Sequence, residues 1–366
     1  RSGHSFPTRR SSDLYYNLGG KRFKIYNWKS PNNKIEPNKE PNITIRRAEL
    51  IKLKKAIEKD LKITPVSIEN SLYEQSVFNE RIPISLFEHA IDGSIYVARL
   101  IADTIIKKQQ TGEMCVLGLA TGSSPITIYS ELVRLHKEEN LSYKNVITFN
   151  LDEYWPMNKN SRHSYHKFMF DNLFNHIDIE KKNINIPKGN VSSNKLEKYC
   201  IEFENKIKEV GGIDLQLLGI GRNGHIGFNE PGTLKSSMTR KVRIEHTTRF
   251  DASEEFGGID NVPKEAISMG TKTILDARKI ILVAWGSNKS KIIKRSIEEK
   301  ENDIVPASLL QSHNNTVFIL DKDSAASLER SVCPWLYTDI NKLPIKRLST
   351  TIIGWDKENI KKAVIW

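Results

Sequence analysis

From about residue 83 the chain alternates between short, wholly apolar runs and longer stretches with apolar residues at helical spacing. ISLFEHAIDGSIYVARLIADTIIKKQQ keeps a helical period and predicts one helix, closed by Thr111-Gly112. MCVLGLA (114–120) and NVITFNL (145–151) predict buried strands, as do IDLQLLGIG (213–221), KIILVAWG (279–286) and NTVFILD (315–321). PITIYSELVRLHKEE predicts a helix opening on Pro125, where the missing N–H costs nothing. Further helices are predicted over about 193–209 and 288–299. Strands separated by helices imply βαβ units, hence an α/β fold: a three-layer, Rossmann-like, mostly parallel sheet with helices on both faces. Ligands in such sheets bind beyond the carboxyl ends of the strands, where every notable polar cluster of this sequence falls.

The pattern is different before residue 83. RSGHSFPTRRSSDL has no apolar h-region, so it does not read as a secretory signal, and it matches translated sequencing-adapter DNA. Residues 1–14 are therefore set aside as a scar. Residues 15–82 read as a linker and helical extension. Asn, Lys, Pro and Gly dominate 15–44, whereas IRRAELIKLKKAIEKDLK (45–62) has the spacing of an amphipathic helix. Residues 83–330 form the main domain and 331–366 a C-terminal extension. The ending KKAVIW reads as an unfinished helix leading into a missing region.

Composition narrows the function classes. The 366 residues are 38% hydrophobic and 27% charged, with a net charge of +12. Residues 1–80 hold 16 Lys+Arg against 9 Asp+Glu, and the rest hold 40 against 35, so the body is only mildly basic. No aromatic-interleaved basic stripe or nucleic-acid motif accompanies the charge, and no nucleic-acid partner is expected. A mildly basic body does suit an anionic substrate. No apolar run reaches the roughly 18 residues of a membrane span, so no membrane partner is expected. Cys115, Cys200 and Cys333 are far apart, which fits free thiols in a reducing cytoplasm.

Four clusters carry candidate chemistry. In Gly118-Leu-Ala-Thr-Gly-Ser-Ser-Pro125, small residues, hydroxyls and a helix start could cradle an anion, although many strand–helix turns are Gly/Ser-rich merely to turn. Phe149-Asn-Leu-Asp-Glu-Tyr154 puts two acids at a strand exit. Asp152 there could take a proton next to a carbonyl, and a capping Asp is the plainer alternative. Gly219-Ile-Gly-Arg-Asn-Gly-His-Ile-Gly-Phe-Asn-Glu-Pro231 packs Asn223, His225, Asn229 and Glu230 among glycines, a pattern that suits a tuned acid–base His. Gly286-Ser-Asn-Lys289 offers an ammonium to an anion, or a surface Lys.

Together GLATGSSP, TFNLDEY, LLGIGRNGHIGFNEPG, VPKEAISMG-TKTILDA and WGSNK resemble the glucosamine-6-phosphate deaminase family over about residues 85–325, in an extended form. The resemblance implies conversion of glucosamine 6-phosphate and water to fructose 6-phosphate and ammonia, with no metal or organic cofactor. It implies that Asp152 moves a proton between C1 and C2, and that His225 opens the sugar ring, oriented by Glu230 with Asn223 and Gly224 beside it. Thr121, Gly122, Ser123, Ser124 and Lys289 would hold the phosphate, with Gly224 also on the substrate-binding side. Family members include hexamers and monomers, which leaves a homo-oligomer open.

The sequence departs from the best-known form at three places. Asn223 stands where an acid often occurs. Glu254 stands where a phosphate-binding Arg is expected, so Arg249 nearby is a substitute candidate. Arg240 matches one allosteric position but Val242 departs at another, predicting weak allostery or none. His163 and His166 lie in the lid region of the family and are expected to be exposed lid surface rather than zinc ligands. Two other readings are kept: a lactonase-like hydrolase or plain sugar-phosphate isomerase, and a sensor that has lost catalysis. The retained Asp152, His225 and Glu230 argue against both.

Overall fold

A computed structural model describes residues 79–332 and two short strands at 14–18 and 21–25. Residues 79–328 form one compact unit, while residues 1–78 and 329–366 belong to a second. In that second unit Leu14–Leu18 (β1) pairs antiparallel with Lys21–Ile25 (β2), with Leu14 opposite Ile25 and Leu18 opposite Lys21. These strands stand where composition read as scar and linker. The aromatic-rich runs on either side of Gly19-Gly20 carry a hairpin pattern that the Asn and Lys content masked. The helix expected over 45–62 and Cys333 lie outside the described residues.

The larger unit runs β3 (Ile84–Phe87), α1 (Ala90–Gln110), β4 (Cys115–Leu119), α2 (Ile126–Glu139), β5 (Val146–Asn150), β6 (Asp152–Trp155), α3 (Tyr165–Asn172) and β7 (Ile184–Asn185). It continues with α4 (Leu196–Glu209), β8 (Leu215–Leu218), β9 (Arg240–Arg243), α5 (His246–Ala252), β10 (Glu265–Ser268), α6 (Thr271–Leu275), β11 (Ile280–Ala284), α7 (Ser290–Glu298) and β12 (Thr316–Asp321). Seven strands form a parallel sheet in the order β3-β12-β11-β8-β4-β5-β7. The α/β expectation is met, and each predicted apolar run forms a strand of this sheet. Strands buried on both faces need not alternate, which is why CVLGL and IILVA are apolar throughout.

Helices cover both faces. On one side Val97, Ile101 and Ile105 of α1 and Ile128, Leu132 and Leu135 of α2 pack with Cys115, Leu117 and Leu119. On the other, Phe203 and Ile207 of α4 and Ile292, Ile293 and Ile297 of α7 pack with Phe149, Leu282 and Phe318. Each fully buried aliphatic side chain contributes about 1.5–3 kcal/mol. Cys115 and Cys200 are free and buried, and burial pushes their thiols up to about 12 and about 11. Among the described residues no helix is long and apolar enough to cross a membrane.

Two local expectations need correction. The single helix predicted from residue 83 is instead β3, a break at Glu88-His89, and then α1. Four apolar-rich residues fit either period, and parallel pairing of Ile84–Phe87 with Phe318–Asp321 decides for strand. Gly118, assigned above to the anion loop, lies inside β4. A β-carbon there would sit 2.0 Å from Oε1 of the buried Gln216, so this glycine makes room for a neighbouring strand's side chain.

A second, antiparallel sheet in the order β6-β10-β9 was not anticipated. It follows directly on β5, with Leu151 between, and pairs Asp152 with Ser268. The strand-exit acids therefore sit on a rigid second strand, not on a loop.

Candidate active site

The site is assembled from the carboxyl ends of β4, β5, β8 and β11. After β8 the chain makes a tight turn in which Gly224 N–H donates to the Gly221 carbonyl at 3.0 Å. Gly224 has φ +90°, and a β-carbon on it would lie 2.9 Å from Cγ1 of Val305, so its part is to turn and pack the loop. The His225 ring lies directly over Gly221. A β-carbon at 221 would be 2.1 Å from Cε1 and 2.3 Å from Nδ1.

The orientation of that ring follows from Asn223. Its amide nitrogen donates to Glu230 Oε2 and to Glu245 Oε2, both at 2.8 Å. Carboxylates accept only, so the Asn223 oxygen must face the other way, where it lies 2.8 Å from His225 Nδ1 and 3.1 Å from the His225 backbone N–H. Nδ1 therefore carries the hydrogen, and Nε2 is left as the ring's proton-exchanging nitrogen. Thr248 Oγ1 lies 3.1 Å from Nδ1 and Glu230 Oε2 3.4 Å. Burial alone would raise the Glu230 carboxyl. Interaction with His225, and then hydrogen bonds with Asn223 and Thr248, outweigh it and hold the group below its ordinary value.

Glu230 thus reaches His225 both directly and through Asn223, with Glu245 as a second carboxylate on that amide. Sequence reading missed Glu245 and Thr248. Glu245 comes from the β9–α5 connection and Thr248 from the first turn of α5, some twenty residues downstream, and nothing in the polar text of IEHTTRF marks them.

Asp152 joins this loop from β6. It is buried, and a β-carbon at Gly227 (φ +55°) would be 3.2 Å from its Oδ2 and 3.1 Å from Ser268 Oγ. Gly227 thus lets the His225–Glu230 segment press its backbone against the carboxyl group. Burial first, and then the charge of Glu153, raise Asp152 to about 8. A carboxyl so placed is a base matched to neutral or mildly alkaline conditions.

The two segments of the candidate anion clamp lie at two strand ends. Thr121–Ser124 lies between β4 and α2, with Gly122 at φ +95°. Trp285, at the end of β11, donates its indole N–H to the Ser124 carbonyl at 3.0 Å and so ties the loop to the segment that carries Lys289. Gly93 leaves space for that indole, since a β-carbon there would sit 2.7 Å from the ring. The half-buried Lys289 donates from Nζ to the carbonyl of Ile220 at 2.8 Å, next to the glycine under His225. Burial lowers the Lys289 ammonium from its ordinary value, with Asp251 working against this and Arg222 adding to it.

Arg249 does not fit its expected place. Its guanidinium donates to the carbonyls of Ile259 at 2.7 Å and Val262 at 3.4 Å, and the residue lines a cleft of about 570 Å³ with Glu230, Glu245 and His246 that includes neither Lys289 nor Thr121–Ser124. It clamps the turn after α5, which removes it from the anion ligands. Glu254 lies exposed on that same turn. Arg240 donates to Asn229 Oδ1 at 3.0 Å, whereas Val242 packs among Tyr154, Phe228 and Ile244. His163 stacks on Phe256, with ring centroids 4.1 Å apart, so it is packed and not lid surface. His166 is half-buried and stacks on Phe170.

The family model for glucosamine-6-phosphate isomerases/6-phosphogluconolactonase matches residues 94–319. The chain belongs to this family. A glucosamine-6-phosphate deaminase of Clostridium botulinum is 46% identical over 232 residues, which is 63% of this chain and 93% of the relative. A putative glucosamine-6-phosphate deaminase-like protein of Bacteroides thetaiotaomicron is 41% identical over 296 residues, covering 80% of this chain but 43% of the relative, so the chain spans less than half of that longer protein. Among solved structures, a monomeric glucosamine-6-phosphate deaminase superposes with a TM-score of 0.65 at 40% identity, over 67% of this chain and all of the other. The 6-phosphogluconolactonase of Trypanosoma brucei shares the family fold, with a TM-score of 0.57 at 19% identity over 68% of this chain and 99% of the other.

Proposed function

We propose that this chain deaminates and isomerises glucosamine 6-phosphate, giving fructose 6-phosphate and ammonia. The observation that carries the reading is the contact of the Gly227 backbone with Asp152, which sets a buried base beside the oriented His225. Opening of the pyranose, with His225 Nε2 exchanging the ring-oxygen proton, exposes an aldehyde at C1. That carbonyl acidifies the C2 hydrogen, which the Asp152 carboxylate takes to leave an enolamine. Return of the proton to C1 gives an iminium at C2, and water adds there as ammonia departs, leaving the ketone. Thr121–Ser124 and Lys289 hold the phosphate and fix the register of the chain of carbons. Identity at 46% to a deaminase, against 19% to a lactonase of the same fold, favours this substrate over a lactone.

Incubation of the purified protein with glucosamine 6-phosphate should release ammonia and fructose 6-phosphate in equal amounts. Tight binding of the sugar phosphate without either product would replace this reading with a sensor, and hydrolysis of 6-phosphogluconolactone in its place would replace it with a lactonase.

A further inference from the structure

Glu153 is 1% exposed, yet no Lys, Arg or His among the described residues forms an ion pair with it. Its carboxyl is instead surrounded by donors. Oε1 accepts the backbone N–H groups of Tyr154 and Tyr165, each at 3.0 Å. Oε2 accepts the Ser164 hydroxyl at 2.7 Å and the His166 N–H at 3.0 Å. Three of the four donors belong to the start of α3, so Glu153 caps the helix from outside. Burial outweighs the donors and leaves this carboxyl above its ordinary value. The hydrogen bonds, by contrast, favour the charged form. Three of the four partners are backbone N–H groups, which donate and cannot accept a proton in return.

A buried charge without a counter-ion is a costly way to hold one short helix. Its neighbour along β6 gives it a second use. Successive residues on a strand point to opposite faces, so Asp152 meets Gly227 and Ser268 while Glu153 turns to α3. We propose that Glu153 is a positioning residue for the deamination, its fixed charge keeping the adjacent Asp152 a strong enough base to remove a carbon-bound proton while its hydrogen bonds lock α3 beside that base.

The surroundings of Asp152 leave this role to Glu153. From α2 it is met by the Tyr129 phenol, from α3 by Tyr165 and from its own strand by Tyr154, all neutral and all pushed up by burial first. Ser268 on β10 and Gly227 in the loop carry no charge. Burial and Glu153 together bring Asp152 to about 8. This inference rests on the proposed deaminase reading, in which Asp152 is the proton-transfer base.

The test is the pH profile of kcat/KM for E153Q against the parent chain. Neutralising Glu153 should move the acid limb to lower pH by about one unit or more, as expected for loss of a like charge on the adjacent residue of a buried strand. S164A removes one donor and leaves the charge, so its limb should stay in place even if its rate falls. An unmoved limb in E153Q, or an equal movement in S164A, overturns the proposal. If E153Q does not fold, E153D keeps the charge with a shorter reach and should keep the limb; displacement to lower pH by a unit or more in E153D counts against the proposal. The Asp152 carboxyl titration followed by carbon NMR in the same variants needs no turnover. A chain without deaminase activity would thus sink the functional reading and still leave the effect of Glu153 on Asp152 measurable.

Discussion

The amide oxygen of Asn223 lies 2.8 Å from Nδ1 of His225, and it faces that way because Glu230 and Glu245 take both hydrogens of the amide nitrogen. An amide thus does here what a carboxylate does elsewhere in catalytic triads: it fixes the tautomer of the ring. N223A should leave Nδ1 to Thr248 and Glu230 and let the ring turn. The expected loss in kcat is on the order of 10²-fold, the lower end of what a positioned acid–base group supplies. A variant with parental kcat would show that Thr248 and Glu230 suffice.

Space under the same ring gives a second prediction. A β-carbon at residue 221 would overlap the imidazole, at 2.1 to 2.4 Å from three of its atoms. G221A should push the ring out of line and lower kcat by about 10²-fold, since a displacement near 1 Å is enough for that. Thermal unfolding and steady-state rates should separate: a small change in Tm with a large change in kcat. A loss confined to Tm would place the ring's role in folding.

Asp152 links activity to stability. As the free-acid form is favoured by burial and by Glu153 up to about pH 8, kcat/KM should rise with pH and level off above that value. The sign for stability is opposite. A carboxyl raised above its unfolded value of about 4 binds a proton more tightly in the native state, so its contribution is complete at low pH and is lost as pH rises through 8. D152N should therefore abolish turnover with substrate binding retained, and its Tm relative to the parent should climb between pH 5 and pH 9. A Tm difference that is flat across that range would mean that Asp152 ionises without penalty.

The anion clamp predicts a split in kinetic constants. K289A removes a cation and also the hydrogen bond to the Ile220 carbonyl. KM should rise by about 10-fold or more with kcat changed less, because phosphate binding is common to ground and transition states. W285F keeps an aromatic ring but loses the N–H that holds the Ser124 carbonyl at 3.0 Å, and KM should rise by a smaller factor, about 2–5-fold for one neutral hydrogen bond. Fluorescence titration with inorganic phosphate should show the same order, with K289A weakened more than W285F. The reverse order would move the phosphate away from Lys289.

Much of this was legible in residues 114–321. Apolar runs buried on both faces leave a strong signal, and β4, β5, β8, β11 and β12 fall within three residues of their predicted spans at either end. Asp152, His225, Glu230, Asn223 and Lys289 could be singled out as candidates as well, because polar groups among glycines at strand ends have few structural uses. The antiparallel sheet β6-β10-β9 was not, since DEYW, EAIS and RKVR are short, half-polar and paired over long sequence separations. Arg249 was misassigned for a related reason: sequence gives the reach of a guanidinium but not the carbonyls waiting for it at Ile259 and Val262.

The sequence by itself determined the layered α/β framework and the chemical groups at its strand ends, because periodicity and glycine content are local properties of the chain. Tertiary structure alone decided which groups meet. Loop closure brought Glu245 and Thr248 to His225, laid the Gly227 backbone on Asp152, and placed the buried carboxyl of Glu153 one residue from it. Contacts of that kind depend on how distant segments pack and how burial strengthens each charge, and neither is written in any single stretch of residues.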